Sequence, residues 1–240
     1  MKYVINADDL GGYEAVNKPI IDLLKEKVIS QSTIMVTFSE FYSEAKELVF
    51  QNNLQDSIGV HLSLTRGRPL TDPIKRTPFV SDKGYLYGKY LDSKIHYFYI
   101  KRKIRKAIEI ELDAQMKKYI SDGYTLMHFD SHGNIHAYPS LYKIFSRVAK
   151  RNGFLSTRLP YNVHTKNPLL NLLKSKVIKN FRSNFKTTAL LTYSIKEAIA
   201  TKPTDVFELM THPGSNEPNE TENIRLIRKE LGMPVSFKNL

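Results

Sequence analysis

The sequence contains no cysteine, and this absence limits the chemistry that its sites can use. Without thiols the chain can form neither a disulfide framework nor a thiolate metal site, so any metal must be held by His, Asp or Glu. The sequence also lacks an apolar run of about 20 residues, the length that a membrane-spanning helix needs. The first acidic pair comes too early for an apolar signal region. We therefore expect a cytoplasmic protein with no membrane partner.

Internal repeats and low-complexity segments are also missing, and the composition is that of an ordinary globular protein. Of the 240 residues, 41% are hydrophobic and 25% are charged. These fractions are far from those of disordered or collagen-like chains. Since α/β barrels of this length commonly fold as one domain, we expect a single domain over residues 1–240.

Acidic residues are outnumbered by basic ones, which gives a formal charge of +12 from 36 Lys+Arg and 24 Asp+Glu. The excess is concentrated in residues 101–106 and 166–186. Such segments can attract an anionic partner, such as nucleic acid, a phosphorylated sugar or an acidic polysaccharide, or they can be solvated helix faces. We favour helix faces, and because no nucleic-acid-binding module accompanies the charge we do not expect a nucleic-acid partner.

Short apolar runs alternate with amphipathic segments along the chain, as in strand–helix units around a mostly parallel sheet. The predicted strands are residues 3–6, 33–37, 57–64, 125–129, 155–158 and 206–210. The predicted helices are residues 15–27, 40–52, 103–121, 140–152 and 221–231. Gly123 and Gly153 follow two of these helices, where a C-terminal cap requires left-handed backbone. The pattern indicates an α/β fold.

Two segments interrupt this alternation, at residues 65–102 and about 161–202. Long insertions in a compact α/β domain usually build lids or binding walls, so residues 65–102 are a candidate substrate lid. The aromatic residues of this first insertion are Tyr85, Tyr87, Tyr90, Tyr97, Phe98 and Tyr99. Their rings can stack on sugars or pack the insertion onto the domain, and both alternatives stay open.

Metal-competent side chains occur where the predicted strands end. Asp8 and Asp9 follow the first strand, His61 lies in the third, residues 128–132 close another, and His212 follows the last. Because the C-terminal ends of parallel strands open onto one face, these residues can converge although they are far apart in sequence.

The adjacent carboxylates of Asp8 and Asp9 repel each other when both are ionised. This arrangement favours one carboxylate as a cation ligand and the other as a group that handles protons. Helix capping is the alternative for the pair, and a hydrogen-bonded interior histidine is the alternative for His61.

The segment from residue 128 to residue 136 is rich in ligand-type residues. Three histidines and an aspartate, His128, Asp130, His132 and His136, lie within nine positions, which packing alone does not explain. One carboxylate with two imidazoles is a common facial set for a divalent ion and leaves positions open for water and substrate. The segment therefore predicts a metal or catalytic site.

Four ordered motifs carry a family resemblance. They are Asn-Ala-Asp-Asp-Leu-Gly at residues 6–11, Gly-Val-His-Leu-Ser-Leu-Thr at 59–65 with Gly-Arg-Pro-Leu at 67–70, His-Phe-Asp-Ser-His at 128–132, and His-Pro-Gly at 212–214. The chain resembles the YdjC/ChbG-like carbohydrate deacetylase family. It departs from the family pattern at Leu10, where the family has Phe, and at residues 133–136, where a His-x-His pattern is common.

The resemblance implies a distorted, incomplete (β/α) TIM-like barrel with the two insertions. It also implies a divalent ion bound by Asp9, His61 and His132, with Asp8 as the general base. The family suggests Mg2+ as the first choice, and the imidazole ligands make Zn2+ the second.

The implied reaction is removal of the acetyl group from an N-acetylated mono- or oligosaccharide, of the N-acetylglucosamine or chitooligosaccharide type. In it, His212 would donate a proton to the leaving amine, and Arg158 would either orient Asp8 or form a structural salt bridge. A metal-dependent sugar phosphoesterase and a catalytically silent carbohydrate- or nucleic-acid-binding barrel are the alternatives. A homodimer also stays open.

Overall fold

A sheet of seven parallel strands forms the centre of the fold in the computed structural model, which describes residues 2–160, 168–192, 206–214 and 220–240. The strands are β1 (Tyr3–Leu10), β2 (Gln31–Ile34), β3 (Ile58–Leu62), β4 (His128–Ser131), β5 (Ser156–Thr157), β6 (Leu190–Thr192) and β7 (Phe207–Thr211). Their order across the sheet is β5-β4-β3-β2-β1-β7-β6. The sheet curls into a half-barrel, which confirms the expected incomplete (β/α) barrel.

Helices cover the outside of this half-barrel. They are α1 (Glu14–Lys25), α2 (Ser39–Gln51), α3 (Asp72–Lys75), α4 (Lys94–Phe98), α5 (Arg102–Ser121), α6 (Tyr142–Arg151), α7 (Pro168–Asn184) and α8 (Glu220–Leu231). Short 3-10 helices occupy Gln55–Ser57, Gly88–Asp92, His132–Ala137 and Phe237–Asn239. Gly123 and Gly153 have φ of 94° and 78°, which confirms the predicted caps after α5 and α6. Within the described ranges, no helix has the length and apolar character that crossing a membrane requires.

The strands present an apolar face to the helices and a polar face to the interior of the curl. On β1, Ile5 and Ala7 belong to the hydrophobic core, whereas Asn6 and Asp8 join a buried polar network. Because successive side chains of a strand point to opposite faces, alternate polar residues of neighbouring strands meet inside. The buried polar residues of this interior include Asn6, Asp8, Gln31, Thr33, His61, His128, Asp130, Arg158 and Glu208.

The first insertion, residues 65–102, contains α3, the 3-10 helix Gly88–Asp92 and α4. Buried Glu111 on α5 anchors its start, since its carboxylate accepts hydrogen bonds from the backbone N–H of Leu70 and of Thr71 at 3.0 and 2.9 Å. The six aromatic residues divide into two groups. Tyr90 and Tyr97 are partly buried and pack on other rings, and Tyr85, Tyr87, Phe98 and Tyr99 are exposed.

The described part of the second insertion, residues 161–202, contains a further helix–strand unit that the sequence pattern did not predict. Its helix α7 buries Val177 and Phe181 in the core, and its strand β6 pairs with β7 at the edge of the sheet. The basic segment 166–186 therefore lies largely on α7, and the basic segment 101–106 forms the exposed N-terminal part of α5.

Candidate active site

Asp8 and Asp9 reach the same site because β1 is irregular where they lie. The register of β1 against β2 shifts between Ala7 and Leu10, and Asp9 has a left-handed backbone with φ of 68°. In a regular strand the two carboxylates would point to opposite faces. The predicted helix cap is not formed in this way, since α1 begins after Tyr13 without a side-chain cap.

His61 lies between two carboxylates. Its Nδ1 is 2.6 Å from Asp130 Oδ1, and its Nε2 is 3.2 Å from Asp9 Oδ1. The register of β3 against β4 pairs His61 with Asp130, which explains the short contact between residues so far apart in sequence. Burial opposes a charged imidazole, but the Asp130 and Asp8 carboxylates outweigh it and raise the pKa of His61 well above its ordinary range.

His132 faces His61 from the start of the 3-10 helix that follows β4. The two ring centroids are 6.1 Å apart and the rings are nearly perpendicular. Thr65 Oγ1 lies 2.7 Å from His132 Nδ1, which leaves Nε2 as the nitrogen for another ligand. Burial lowers the pKa of His132 to about 4, so its imidazole is neutral at neutral pH, as metal coordination requires.

The oxygen of Asp9 that faces this imidazole pair has an unusual environment. Asp9 Oδ1 is buried and has no hydrogen-bond partner among the described residues, because its approach to His61 Nε2 is close but poorly aligned. A buried carboxylate oxygen without a partner is costly, and a bound cation would remove that cost. Together with two imidazoles it also provides the donor set of a divalent metal site.

Among the described residues, a different group has ligand atoms close enough together to share a metal ion. One ligand atom each from Asp8, His61 and Asp130 lie within 4.8 Å of one another. However, the Arg158 guanidinium binds both oxygens of Asp8 and one of Asp130, and the other oxygen of Asp130 is on His61. Since a guanidinium repels a cation, the charges favour an ion on the Asp9 side of His61.

Arg158 extends from the end of β5 into the centre of the curl, where it is fully buried. Its NH1 and NH2 groups donate to the two oxygens of Asp8, both at 2.6 Å, and NH2 also lies 2.9 Å from Asp130 Oδ2. The contact with Asp8 that the sequence suggested is therefore present. Although burial raises the pKa of Asp8, the Arg158 charge and hydrogen bonds lower it more strongly, so Asp8 is ionised.

Glu208 on β7 completes the surroundings of Arg158, although no sequence motif marks it. Its Oε1 accepts a hydrogen bond of 2.7 Å from Arg158 Nε, and its Oε2 has no hydrogen-bond partner in the described part of the chain. Burial raises the pKa of Glu208 to about 7, and the nearby Asp130 and Asp8 carboxylates act in the same direction against the lowering effect of Arg158.

Asn6 and Thr33 form a hydrogen-bond network around Asp8 that the sequence did not predict, although Asn6 is the first residue of the first motif. Asn6 Nδ2 donates to Asp8 Oδ1 at 2.7 Å and to Thr33 Oγ1 at 3.1 Å. Thr33 Oγ1 in turn donates to Asp130 Oδ2 at 3.1 Å. These hydrogen bonds and those of Arg158 together fix the Asp8 and Asp130 carboxylates.

His212 lies beside this site at the end of β7. The register of β1 against β7 pairs Ala7 with Thr211, so the next residues along, Asp8 and His212, are neighbours. The His212 charge accordingly contributes to lowering the pKa of Asp8. The backbone N–H of His212 donates to Glu220 Oε1 at 2.5 Å, which links the residue after β7 to the start of α8.

His128 and His136 have interior partners instead. His128 Nδ1 lies 3.1 Å from Ser156 Oγ, and its ring stacks on Phe237 at 4.2 Å. His136 Nδ1 lies 2.7 Å from Ser131 Oγ, and burial lowers its pKa to about 3. Of the four ligand-type residues in this segment, only Asp130 and His132 thus lie around His61.

Comparison with known proteins identifies the family of the chain. The model of the YdjC-like protein family matches residues 2–232. The chain belongs to the YdjC-like family. A carbohydrate deacetylase of Brevibacillus brevis is 29% identical over 215 residues, which cover 89% of this chain and 81% of that protein. A carbohydrate deacetylase of Vibrio cholerae is 34% identical over 153 residues, which cover 63% of this chain and 56% of that protein.

A solved structure shares the fold of this YdjC-like protein. It is an Enterococcus faecalis protein with the provisional name of a cellobiose-phosphate cleavage protein, with a TM-score of 0.77 and 21% identity. The match covers 99% of this chain and 98% of that protein. At this identity the likeness supports the half-barrel architecture alone.

Proposed function

We propose that this YdjC-like protein is a carbohydrate deacetylase, a metal-dependent hydrolase that removes the acetyl group from N-acetylated sugars. The observation that carries the proposal is Asp9 Oδ1, buried without a well-aligned hydrogen bond 3.2 Å from His61 Nε2 and next to an ionised Asp8. The family and the names of the curated relatives support a deacetylase acting on a carbohydrate.

Asp9 Oδ1, His61 Nε2 and His132 Nε2 would hold the ion. Each histidine has its Nδ1 engaged, by Asp130 and by Thr65, so Nε2 of each ring would be the coordinating atom. A bound cation would displace the proton that the neighbouring carboxylates favour on His61. A divalent ion bound there would supply Lewis-acid chemistry, acidifying a water and polarising the acetyl carbonyl. Mg2+ is the first ion to test and Zn2+ the second.

Asp8 would act as the general base. Arg158 keeps the Asp8 carboxylate ionised and holds it in a bidentate geometry, so it can accept the proton of the attacking water at neutral pH. His212, the neighbour of Asp8 after β7, would donate a proton to the departing sugar amine. An amine is a poor leaving group, so this protonation is needed for the amide bond to break.

The substrate would be an N-acetylated sugar of the N-acetylglucosamine or chitooligosaccharide type. The first insertion supports this, because it begins at Thr65, which contacts His132, and carries the exposed rings of Tyr85 and Tyr87. Flat aromatic faces suit the apolar faces of sugar rings.

Acetate release from N-acetylglucosamine and diacetylchitobiose tests this function directly. The protein is first treated with chelator and then supplied with Mg2+ or Zn2+, and bound metal is measured by elemental analysis. We expect activity to need the added ion, and His61→Ala and His132→Ala to lose both metal and turnover while remaining folded. Full activity without metal would contradict the proposal, and release of phosphate from sugar phosphates in place of acetate would favour a phosphoesterase.

A further inference from the structure

Arg158 joins strands that lie far apart in the sheet. It follows β5, at one end of the strand order, and reaches Asp8 on β1 and Glu208 on β7 near the other end. Its guanidinium therefore spans the interior of the curl. The role proposed for Asp8 explains its bonds to Arg158, but it does not explain the bond between Arg158 and Glu208.

The two acceptors bind different parts of the guanidinium. Asp8 takes the NH1 and NH2 groups end-on, and Glu208 takes the Nε–H at 2.7 Å. The Nε–H bond lies in the plane of the guanidinium, so an acceptor at that position fixes how the plane is rotated. A fork-like pair of N–H···O bonds needs that plane aligned with the carboxylate.

We propose that Glu208 is a positioning residue for the reaction: it holds Arg158 by Nε so that the guanidinium keeps Asp8 in its reactive orientation. This inference rests on the proposed deacetylase function. The Glu208 side chain is fully buried, and its Oε2 has no hydrogen-bond partner among the described residues. Within those ranges Arg158 is therefore the one hydrogen-bond donor to the Glu208 carboxylate.

Two substitutions of Glu208 separate the effect of side-chain length from the effect of charge. Glu208→Gln keeps an acceptor oxygen at the same distance and removes the negative charge. Glu208→Asp keeps the charge but withdraws the carboxylate by one methylene, which breaks a hydrogen bond of 2.7 Å. A residue that positions Arg158 must tolerate the first change better than the second.

Steady-state kinetics of acetate release then give a clear expectation. Glu208→Gln should keep kcat within about threefold of the wild type, and Glu208→Asp should lower kcat by about 10- to 100-fold. KM should change by less than about threefold in both, because Glu208 is fully buried and acts through Arg158. Equal losses in both variants, or a slower Gln than Asp variant, would overturn the positioning role.

The Asp8→Asn variant tests whether the loss of kcat in Glu208→Asp depends on Asp8. In Asp8→Asn the general base is already missing, so adding Glu208→Asp should lower the residual kcat by less than about threefold. The same full loss in this background as in the wild type would contradict the proposal.

A matched control accounts for stability. Asp122 follows α5 and binds Lys46 and Lys118. It precedes the start of β4, whereas the site lies at the C-terminal ends of the strands. Asp122→Asn should lower the urea midpoint of unfolding and leave kcat unchanged. The kcat of Glu208→Asp is then compared with that of a control variant whose urea midpoint falls by the same amount. If the two variants lose the same kcat, Glu208 has only a structural role.

The failure of the proposed function can be told apart from the failure of this inference. If the wild type releases no acetate from any sugar, the deacetylase proposal fails. Urea unfolding then tests whether Glu208 is coupled to Asp8 through Arg158. Glu208→Asp should shift the unfolding midpoint by at most about half as much in the Asp8→Asn background as in the wild type. Equal shifts in the two backgrounds would overturn it.

Discussion

His61 and Asp130 face each other across β3 and β4, with Nδ1 of the imidazole 2.6 Å from Oδ1 of the carboxylate. This contact fixes the ring so that Nε2 points to Asp9. A carboxylate behind a histidine orients the ring and increases its strength as a metal ligand. The same Asp130 also contacts Arg158, so one carboxylate connects the candidate metal site with the candidate base.

The Asp130 contact leads to a prediction about metal affinity. Asp130→Asn should weaken binding of the divalent ion by about 10- to 100-fold, because the amide orients and polarises His61 less well. Titration calorimetry with Mg2+ and Zn2+ measures the change. Asp113→Asn is the control, since Asp113 forms surface ion pairs with Lys117 and Arg151. Unchanged affinity in Asp130→Asn would remove Asp130 from the metal site.

Removal of the candidate base should separate chemistry from metal binding. Asp8→Asn preserves the shape of the side chain but cannot accept a proton, and the metal ligands are left in place. We expect metal affinity within about threefold of the wild type and acetate release lower by about 100- to 10,000-fold. Near-normal acetate release in this variant would show that another group is the base.

Buried neutral histidines should make stability depend on pH. Burial and the Arg158 charge lower the pKa of His136 from 6.5 to about 3 in the folded protein. Between these values His136 binds a proton in the unfolded chain but not in the folded one, so its own contribution to the free energy of unfolding rises with pH up to about 6.5 and then levels off. The raised pKa values of Glu208 and His61 act in the opposite direction, so the His136 contribution is isolated by substitution.

His136→Gln should remove one proton from this dependence. The slope of unfolding free energy against pH should fall by up to about 1.4 kcal/mol per pH unit over the same window. Urea unfolding of the chelator-treated protein from pH 4 to 7 measures the slope, and His132, with its pKa lowered to about 4, accounts for part of what remains. An unchanged slope in His136→Gln would mean that His136 is not buried as a neutral ring.

The sequence predicted the parts of the fold and site that have a local signature. Asp8, Asp9, His61 and His132 stand in short motifs at strand ends, and parallel topology brings such ends together. Helix α5, with its apolar period and following Gly123, was likewise predicted to within one residue of its observed start.

Other parts depend on tertiary contacts that no local pattern encodes. Glu208 is a single charged residue in a short apolar strand, and only the curl of the sheet brings it to Arg158. Strand β6 has only three residues, too few for a clear sequence pattern. Helix α7 is rich in lysine and buries only Val177 and Phe181, so its apolar periodicity is weak. The separation of His132 from interior His136 likewise follows from the left-handed backbone at Gly133 and Asn134.

The first insertion should select the length of the sugar, and its exposed rings make this testable. Gly88 packs against Thr65, whose hydroxyl contacts His132, so the neighbouring Tyr87 lies on the part of the insertion next to the site. Tyr85 is held under the Arg68 guanidinium, with the charge 4.5 Å from the ring centroid. Both rings are exposed, at 48% for Tyr87 and 41% for Tyr85, and so can bind a ligand without unpacking the core.

Tyr85→Ala and Tyr87→Ala should therefore raise KM for a disaccharide by about 10-fold or less, while kcat changes little, because a stacked ring contributes binding rather than chemistry. Kinetics on diacetylchitobiose and on N-acetylglucosamine would show whether the effect is confined to the longer sugar, as a second subsite requires. Tyr99→Ala is the control, since Tyr99 is an exposed ring of the same insertion that follows α4. If all three variants match the wild type on both sugars, the exposed rings serve another purpose, such as contact between two copies of the chain, and selectivity resides in the half-barrel itself.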